Sequence, residues 1–400
     1  MHFFNDLLSL DLLAKKDGDS YNKKRSLFHS LVGKEGRHFI GIAGPRGSGK
    51  TVLLKQLRSI LADSFYLSAD TIQANQLFDV ALHLSEKLKI KHILVDEIHF
   101  QKNFDASLKR IYDFLKVRVI FTSSVSLQLY DSAYDLSRRV EILSLSPFTF
   151  REFIFFKHDY NLPLLTLQDI LDQHWSNDHL RFEFEFDSYL QGGLMPFALN
   201  EPDVSPLVQN ILNTVITRDI PAVAKVLVDD LRSIENVVTF IGRSPSEDVN
   251  PLSISKNVGV TRYKVDIYLR LLKQAYILNP VLPAGTNVLK EPKVLMRLPY
   301  RLLFMPYQQA IGSLREDFFA EMMSICGKEI SYLKSTRGEK TPDFLVRHES
   351  IDWIVEIGGR GKRREQFKNI VKSDKQNLIL AQGSDLKTSQ RPLFMLGYLA

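Results

Sequence analysis

The stretch HFIGIAGPRGSGKT at 38–51 constrains this chain most. An apolar, β-prone run enters a Gly-rich turn, and a helical run, VLLKQLRSILA, follows. Within it Gly44, Pro45, Arg46, Gly47, Ser48, Gly49, Lys50 and Thr51 fit the pattern G-x-x-x-x-G-K-[ST] in full. The glycines permit the loop to wrap a phosphate, and N–H groups at the start of the helix point at it. In this reading Lys50 supplies a point charge to the β- and γ-phosphates of ATP, and the Thr51 hydroxyl ligates Mg²⁺.

The second half of such a site follows. Residues 91–97, KHILVDE, form an apolar run ending in two carboxylates, as a strand buried on both faces reads. Asp96 is placed to hold Mg²⁺ through water, and Glu97 is the residue type that polarises an attacking water as general base. A helix over about 105–115 leads to another buried strand at 117–124. Its polar end makes Ser123 or Ser124 the candidate γ-phosphate sensor. Ser137, Arg138 and Arg139 precede a strand at 140–145. Arg139 is the candidate to stabilise transition-state charge, in cis or from a neighbouring subunit. With a strand at 65–68 and a helix at 71–88, strand and helix alternate throughout, which predicts a parallel sheet wrapped by helices on both faces. Residues 96–99 also spell the D-E-x-H box of some helicases. One lobe in the first 150 residues argues against that class, so His99 is read as a supporting or ordinary strand-end histidine.

Length and composition bound the rest. Four hundred residues, 44% hydrophobic and 24% charged, describe a globular chain of more than one domain. A single cysteine, Cys326, excludes an intrachain disulfide framework and a four-cysteine zinc site. No apolar run reaches membrane-spanning length. The first residues lack a basic region and are broken by Asp6 and Asp11, so no secretory signal is read, and a cytoplasmic location is expected. Charge is uneven. Residues 1–150 carry 21 basic and 16 acidic groups, residues 151–250 carry 7 and 16, and residues 251–400 carry 24 and 14. The basic stretch 251–400 either reflects accidental surface composition or faces an anion, DNA or a neighbouring acidic domain.

The acidic middle reads as helical, a lid or connector interrupted by YLQGGLMP at 189–196 and TRDIP at 217–221. Residues 253–278 read as a short helix, a Gly turn with a Thr cap, a second helix and a wing strand, the pattern of a winged helix-turn-helix. Arg262, Lys264, Arg270 and Lys273 decorate its exposed face. That face either contacts a DNA backbone or serves interdomain packing. In the last 90 or so residues, Glu316 on a helix and Asp343 and Glu356 on a predicted hairpin match the P-D…(D/E)-x-K pattern of a restriction-endonuclease-like core, which needs carboxylates for a metal and a lysine to orient water. The lysine position is Gly358; Arg360 and Lys362 lie nearby as replacements.

The order of these elements resembles a family of bacterial and archaeal AAA+-type ATPases that join an ATPase core to a helical region, a winged helix and a restriction-endonuclease-like tail. GPRGSGKT, ILVDE, FTSS, Arg139 ahead of SPFTFREF, YLQGGLMP, TRDIP, KEPKVLM and VEIGGRGK carry the resemblance. It implies ATP binding, Mg²⁺ and hydrolysis. The expected fold is thus an α/β P-loop NTPase core at 1–150, a helical connector at 151–245, a winged helix at 246–305 and an α+β, degenerate restriction-endonuclease-like domain at 306–400. The expected function is ATP hydrolysis coupled to conformational change in the basic part. An ATP-dependent interaction switch without DNA stands as the alternative, and an ATP-gated nuclease as the third. A homo-oligomer and a protein partner both stay open.

Overall fold

The computed structural model describes residues 2–124, 136, 138–285, 291–333, 341–348, 351–359, 375–384, 386–387 and 389–400. The chain divides into two compact units: Met1–Pro147 with Thr217–Lys225, and Phe148–Ile216 with Val226–Ala400. The three domains expected downstream form a single compact unit, and the TRDIP segment belongs to the first unit.

The first unit is a parallel sheet of β1 (Phe39–Ala43), β2 (Ser64–Ser68), β3 (His92–Asp96), β4 (Arg118–Ser123) and β5 (Val140–Ser144) in the order β2-β3-β4-β1-β5. Alternate strand residues face opposite sides. Ile40, Ile42, Tyr66, Leu94 and Ile120 meet Leu53, Leu54 and Leu57 of α3 (Lys50–Ile60). Phe39, Phe65, Val95 and Phe121 meet Leu84 of α4 (Leu77–Lys87) and Leu108 and Ile111 of α5 (Phe104–Phe114). Helices on both faces explain why each central strand is a near-continuous apolar run.

The amino-terminal helix, His2–Ser20, is held by Asp11, one of the residues that interrupt its apolar run. Asp11 is buried and takes both Nε and Nη2 of Arg58, at 2.5 and 2.7 Å, and the Tyr66 backbone N–H at 2.7 Å. Among the described residues, no helix is long and apolar enough to cross a membrane.

The second unit gathers around aromatic rings. Phe150, in α6 (Phe150–His158), lies 5.4–6.1 Å from Phe186, Tyr189, Phe394 and Tyr398. A Cβ at Gly397 would come within 2.3 Å of the Phe150 Cβ, so only glycine admits this approach. The carbonyl of Ala400 accepts from Thr149 Oγ1 and Arg151 Nε at 2.9 and 3.1 Å. Residues at the two ends of the unit thus share one core. Helices α7 (Val228–Arg243), α8 (Pro251–Val258) and α9 (Arg262–Gln274) precede the antiparallel pair β6 (Leu278–Val281) and β7 (Lys293–Met296). Thr261 caps α9 by accepting from the Lys264 N–H, and Gly259 closes α8 at φ 75°.

Helix α10 (Tyr307–Ile325) then leads to a mixed sheet, β8 (Glu329–Tyr332), β9 (Phe344–His348), β10 (Ile351–Gly358), β11 (Lys375–Ala381) and β12 (Gln390–Pro392), in chain order across the sheet. The β8–β9 and β9–β10 pairs are antiparallel, and the β10–β11 and β11–β12 pairs are parallel. The expected division at 305 and 306 is bridged by a fully buried pair. Arg301 donates to Asp317 at 2.6 and 3.1 Å and to the carbonyls of Ile241 and Ser244 at 3.2 and 3.0 Å.

Candidate nucleotide site

The P-loop connects β1 to α3. Gly44 approaches the neighbouring chain so closely that a Cβ would lie 2.1 Å from the Leu145 carbonyl oxygen. Gly49 occupies the position before the helix at φ 91°, a left-handed conformation that glycine adopts at no steric cost. Lys50 is buried, and its Nζ donates to the Gly44 and Pro45 carbonyls at 2.8 and 2.9 Å, inside the loop's own curve. Burial pushes its pKa down, while Glu97 and Asp96 oppose that shift. Thr51 lies half-buried in the first turn of α3. From outside, Arg25 grips the loop by donating to the carbonyl of Ser48 at 3.0 Å and to that of Ser146 at 2.7 Å.

Asp96 ends β3 and is buried. The Tyr66 hydroxyl donates to its Oδ2 at 2.9 Å, and the Thr122 hydroxyl donates to its Oδ1. Burial and the Asp96 charge push the Tyr66 hydroxyl pKa upward, so it remains a donor. Glu97 has left-handed backbone angles, φ 50° and ψ 50°, and its N–H donates to Thr122 Oγ1 at 2.9 Å. Thr122 therefore fixes both carboxylate residues. Sequence reading singled out Ser123 and Ser124 and missed Thr122 and Tyr66. Period-two alternation carried the signal: Tyr66, Leu94 and Ile120 face α3, and Asp96 and Thr122 lie two residues beyond the latter two.

Ser123 and Ser124 sit beside the buried His99, with Ser123 Oγ 3.5 Å from Nδ1 and Ser124 Oγ 3.4 Å from Nε2. His99 Nδ1 is also 3.2 Å from Glu97 Oε2. Burial lowers the His99 pKa, favouring neutral imidazole, against the pull of Glu97 and Asp219. Arg46 donates from Nε and Nη2 to the two oxygens of Asp219, both at 2.6 Å. Asp219 came from a segment that sequence reading assigned to the connector.

Arg139 is placed elsewhere. Its carbonyl accepts from the Phe39 N–H at 2.9 Å, at the start of β1, and its guanidinium pairs with Asp113 at 3.1 Å. The P-loop leaves the other end of the same strand, a five-residue length of about 15 Å. Arg139 therefore does not reach a phosphate held by its own P-loop, which corrects the expectation of a role in cis.

Within the described residues, the buried Ser48 Oγ of the loop lacks a hydrogen-bond partner, and Glu97 Oε2 has only the His99 ring beside it. Unpartnered oxygens are costly in a protein interior. Both face chemistry that a phosphate, a hydrated cation or an attacking water would satisfy, so the residues fit Mg²⁺-nucleotide.

Residues 36–154 match a family model described as an AAA domain. This segment is similar to AAA domains and carries a P-loop between a parallel strand and a helix. Its nucleotide-binding loop and parallel sheet lie within the matched residues. A second model, described only as a domain of unknown function, matches 183–297. An uncharacterized protein of Methanocaldococcus jannaschii is 25% identical, over 94% of this chain and 89% of that protein. Among solved structures, the Thermotoga maritima RuvB Holliday junction branch migration motor is similar at 15% identity and a TM-score of 0.26, over 71% of this chain and 90% of its own. A structure described as the basis for katanin self-assembly is similar at 16% identity and a TM-score of 0.26, over 37% of this chain and 59% of its own. Superpositions this loose bear on neither partner nor reaction. The sheet order and the AAA match identify the nucleotide-binding domain.

The second expected site lies in the other unit. Asp343 precedes β9, its Oδ2 accepts from the Ile357 N–H at 2.7 Å, and burial with Glu356 and Glu316 nearby pushes its carboxyl up to about 7. The acids do converge, but their cation is Lys293 of β7, whose Nζ lies 2.5 Å from Glu316 Oε2. Among the described residues, no group of three or more His, Cys, Asp or Glu side chains is arranged to hold a metal ion. Arg360 and Lys362 lie outside the described residues.

Proposed function

We propose that the chain is a Mg²⁺-dependent ATPase, and that Lys50, Asp96, Thr122 and Glu97 form its working centre. The observation that carries this reading is the shared hold of Thr122 on Asp96 and Glu97, opposite a P-loop whose Ser48 Oγ is buried without a hydrogen-bond partner. Lys50 would hold the phosphates of ATP, and Thr51 and Asp96 would hold Mg²⁺, which when bound offsets the phosphate charge. Glu97 takes the proton of the attacking water, and His99, neutral beside it, restricts where that carboxylate points. Lys50→Ala should abolish nucleotide binding. Glu97→Gln should bind nucleotide yet lose turnover, read as phosphate release. Undiminished binding by Lys50→Ala would overturn the site.

In the second unit, we read 246–305 as a winged helix and 306–400 as a restriction-endonuclease-like fold without cleavage, because Gly358 stands where the pattern has its lysine and Lys293 is drawn onto Glu316. Of the four basic residues on the exposed face of α9, two are engaged within the unit. Arg262 lies 3.0 Å from Glu291, and Lys264 lies 2.9 Å from Asp230. These pairs favour a nucleotide-dependent switch over a DNA-binding machine. DNA affinity that falls steeply with added salt would reverse that preference.

A further inference from the structure

Asp219 enters the nucleotide site from a segment, Thr217–Lys225, whose flanking residues on both sides belong to the second unit. Its side chain is fully buried. It takes both forks of Arg46 at 2.6 Å, accepts from Ser124 Oγ at 3.2 Å, and lies 3.9 Å from His99 Nε2. The other nitrogen of His99 faces Glu97 at 3.2 Å. One carboxylate thus connects the tip of the P-loop to the residue assigned above as general base.

A guanidinium fork fits a carboxylate and a phosphate equally well. Arg46 retains 22% side-chain exposure while Asp219 has none, so the arginine can turn toward a second anion and the aspartate cannot follow it out. A carboxylate left behind in a protein interior needs replacement donors. The Ser124 hydroxyl already donates at 3.2 Å, and His99 Nε2 would have to close in from 3.9 Å to add a second donor. Because the cluster includes Glu97, the competing anion belongs on the side where water attacks, which is the terminal phosphate of a triphosphate.

Resting on the ATP-site reading, we propose that Asp219 and the terminal phosphate of a nucleoside triphosphate compete for Arg46. Asp219 then sets how strongly the site distinguishes triphosphate from diphosphate, and the 217–225 segment is held less tightly when Arg46 leaves Asp219, which itself stays buried. A diphosphate leaves the Arg46–Asp219 pair intact.

The test uses the full chain with Mg²⁺, the non-hydrolysable β,γ-imido analogue of ATP, and ADP. Asp219→Asn should tighten analogue binding about ten-fold and leave ADP affinity unchanged. In an Arg46→Gln background the same substitution should have no effect, since the two changes act on one contact. Amide hydrogen exchange in 217–225 should quicken in the wild type with the analogue and not with ADP. An Asp219→Asn effect of equal size on both nucleotides, or one that persists without Arg46, would show a general charge effect and overturn the proposal. Should Asp219→Asn fail to fold, Arg46→Lys keeps the charge without the fork and should lose discrimination between the nucleotides; retained discrimination overturns the proposal. Analogue binding undiminished by Lys50→Ala would instead overturn the underlying site, a separate outcome.

Discussion

The Tyr66 hydroxyl donates to Asp96 Oδ2 at 2.9 Å across neighbouring parallel strands, in a register that sets Ser68 opposite Asp96. A phenol two residues earlier on β2 therefore aims the carboxylate proposed to hold Mg²⁺. Outer partners of this kind set ligand orientation, and their loss costs about ten-fold or more in metal affinity. Tyr66→Phe should raise the Mg²⁺ concentration needed for half-maximal turnover by about ten-fold, measured by titrating Mg²⁺ at saturating ATP.

Thr122 holds Asp96 by donating a hydrogen bond and holds Glu97 by accepting one. Valine keeps the shape and removes both. Since misplacing a reacting group by about 1 Å costs roughly a hundred-fold, Thr122→Val should lower kcat by about that factor. Nucleotide affinity should hold, because Lys50 and the loop backbone are untouched. Equilibrium binding and steady-state turnover on the same protein separate the two effects.

Arg301 and Asp317 are both buried, and the arginine also satisfies the carbonyls of Ile241 and Ser244. Removing one partner strands a buried charge. Asp317→Ala should destabilise the second unit by about 3–5 kcal/mol, read by denaturant unfolding. Replacing both residues by apolar ones of similar volume should recover much of that loss.

Asp230 accepts from the Tyr268 hydroxyl at 2.6 Å and from Lys264 at 2.9 Å, and these bonds hold its pKa down to about 2. A carboxyl depressed on folding stabilises the fold above its unfolded pKa, near 4, and that contribution disappears as pH falls toward 2. Allowing for solvent screening, the effect is about 1 kcal/mol. Asp230→Asn should flatten that acid limb of the stability curve and leave the slope above pH 5 unchanged.

What was legible in the sequence follows from what is local. The loop 44–51 and the run 91–97 write strand, turn and ligand in consecutive residues, so the P-loop fold and the pair Asp96 and Glu97 could be read directly. Thr122 was overlooked in favour of two adjacent hydroxyls, because choosing among them requires knowing which sheet face α3 covers. Asp219 and Lys293 could not be reached at all. Their partners stand 173 and 23 positions away, as Arg46 to Asp219 and Lys293 to Glu316, and no short-range pattern encodes such a pairing. The cis role of Arg139 fails for a simpler reason: the residue sits at the start of a parallel strand, at the end of the sheet away from its own P-loop.

The chain contributes to the first unit twice, through Met1–Pro147 and again through Thr217–Lys225. A gene fragment stopping at codon 147 would encode both the 44–51 loop and the 91–97 run and still omit Asp219. A nucleotide site that includes Asp219 is therefore written in two stretches of the sequence, with the 69 residues of Phe148–Ile216 between them.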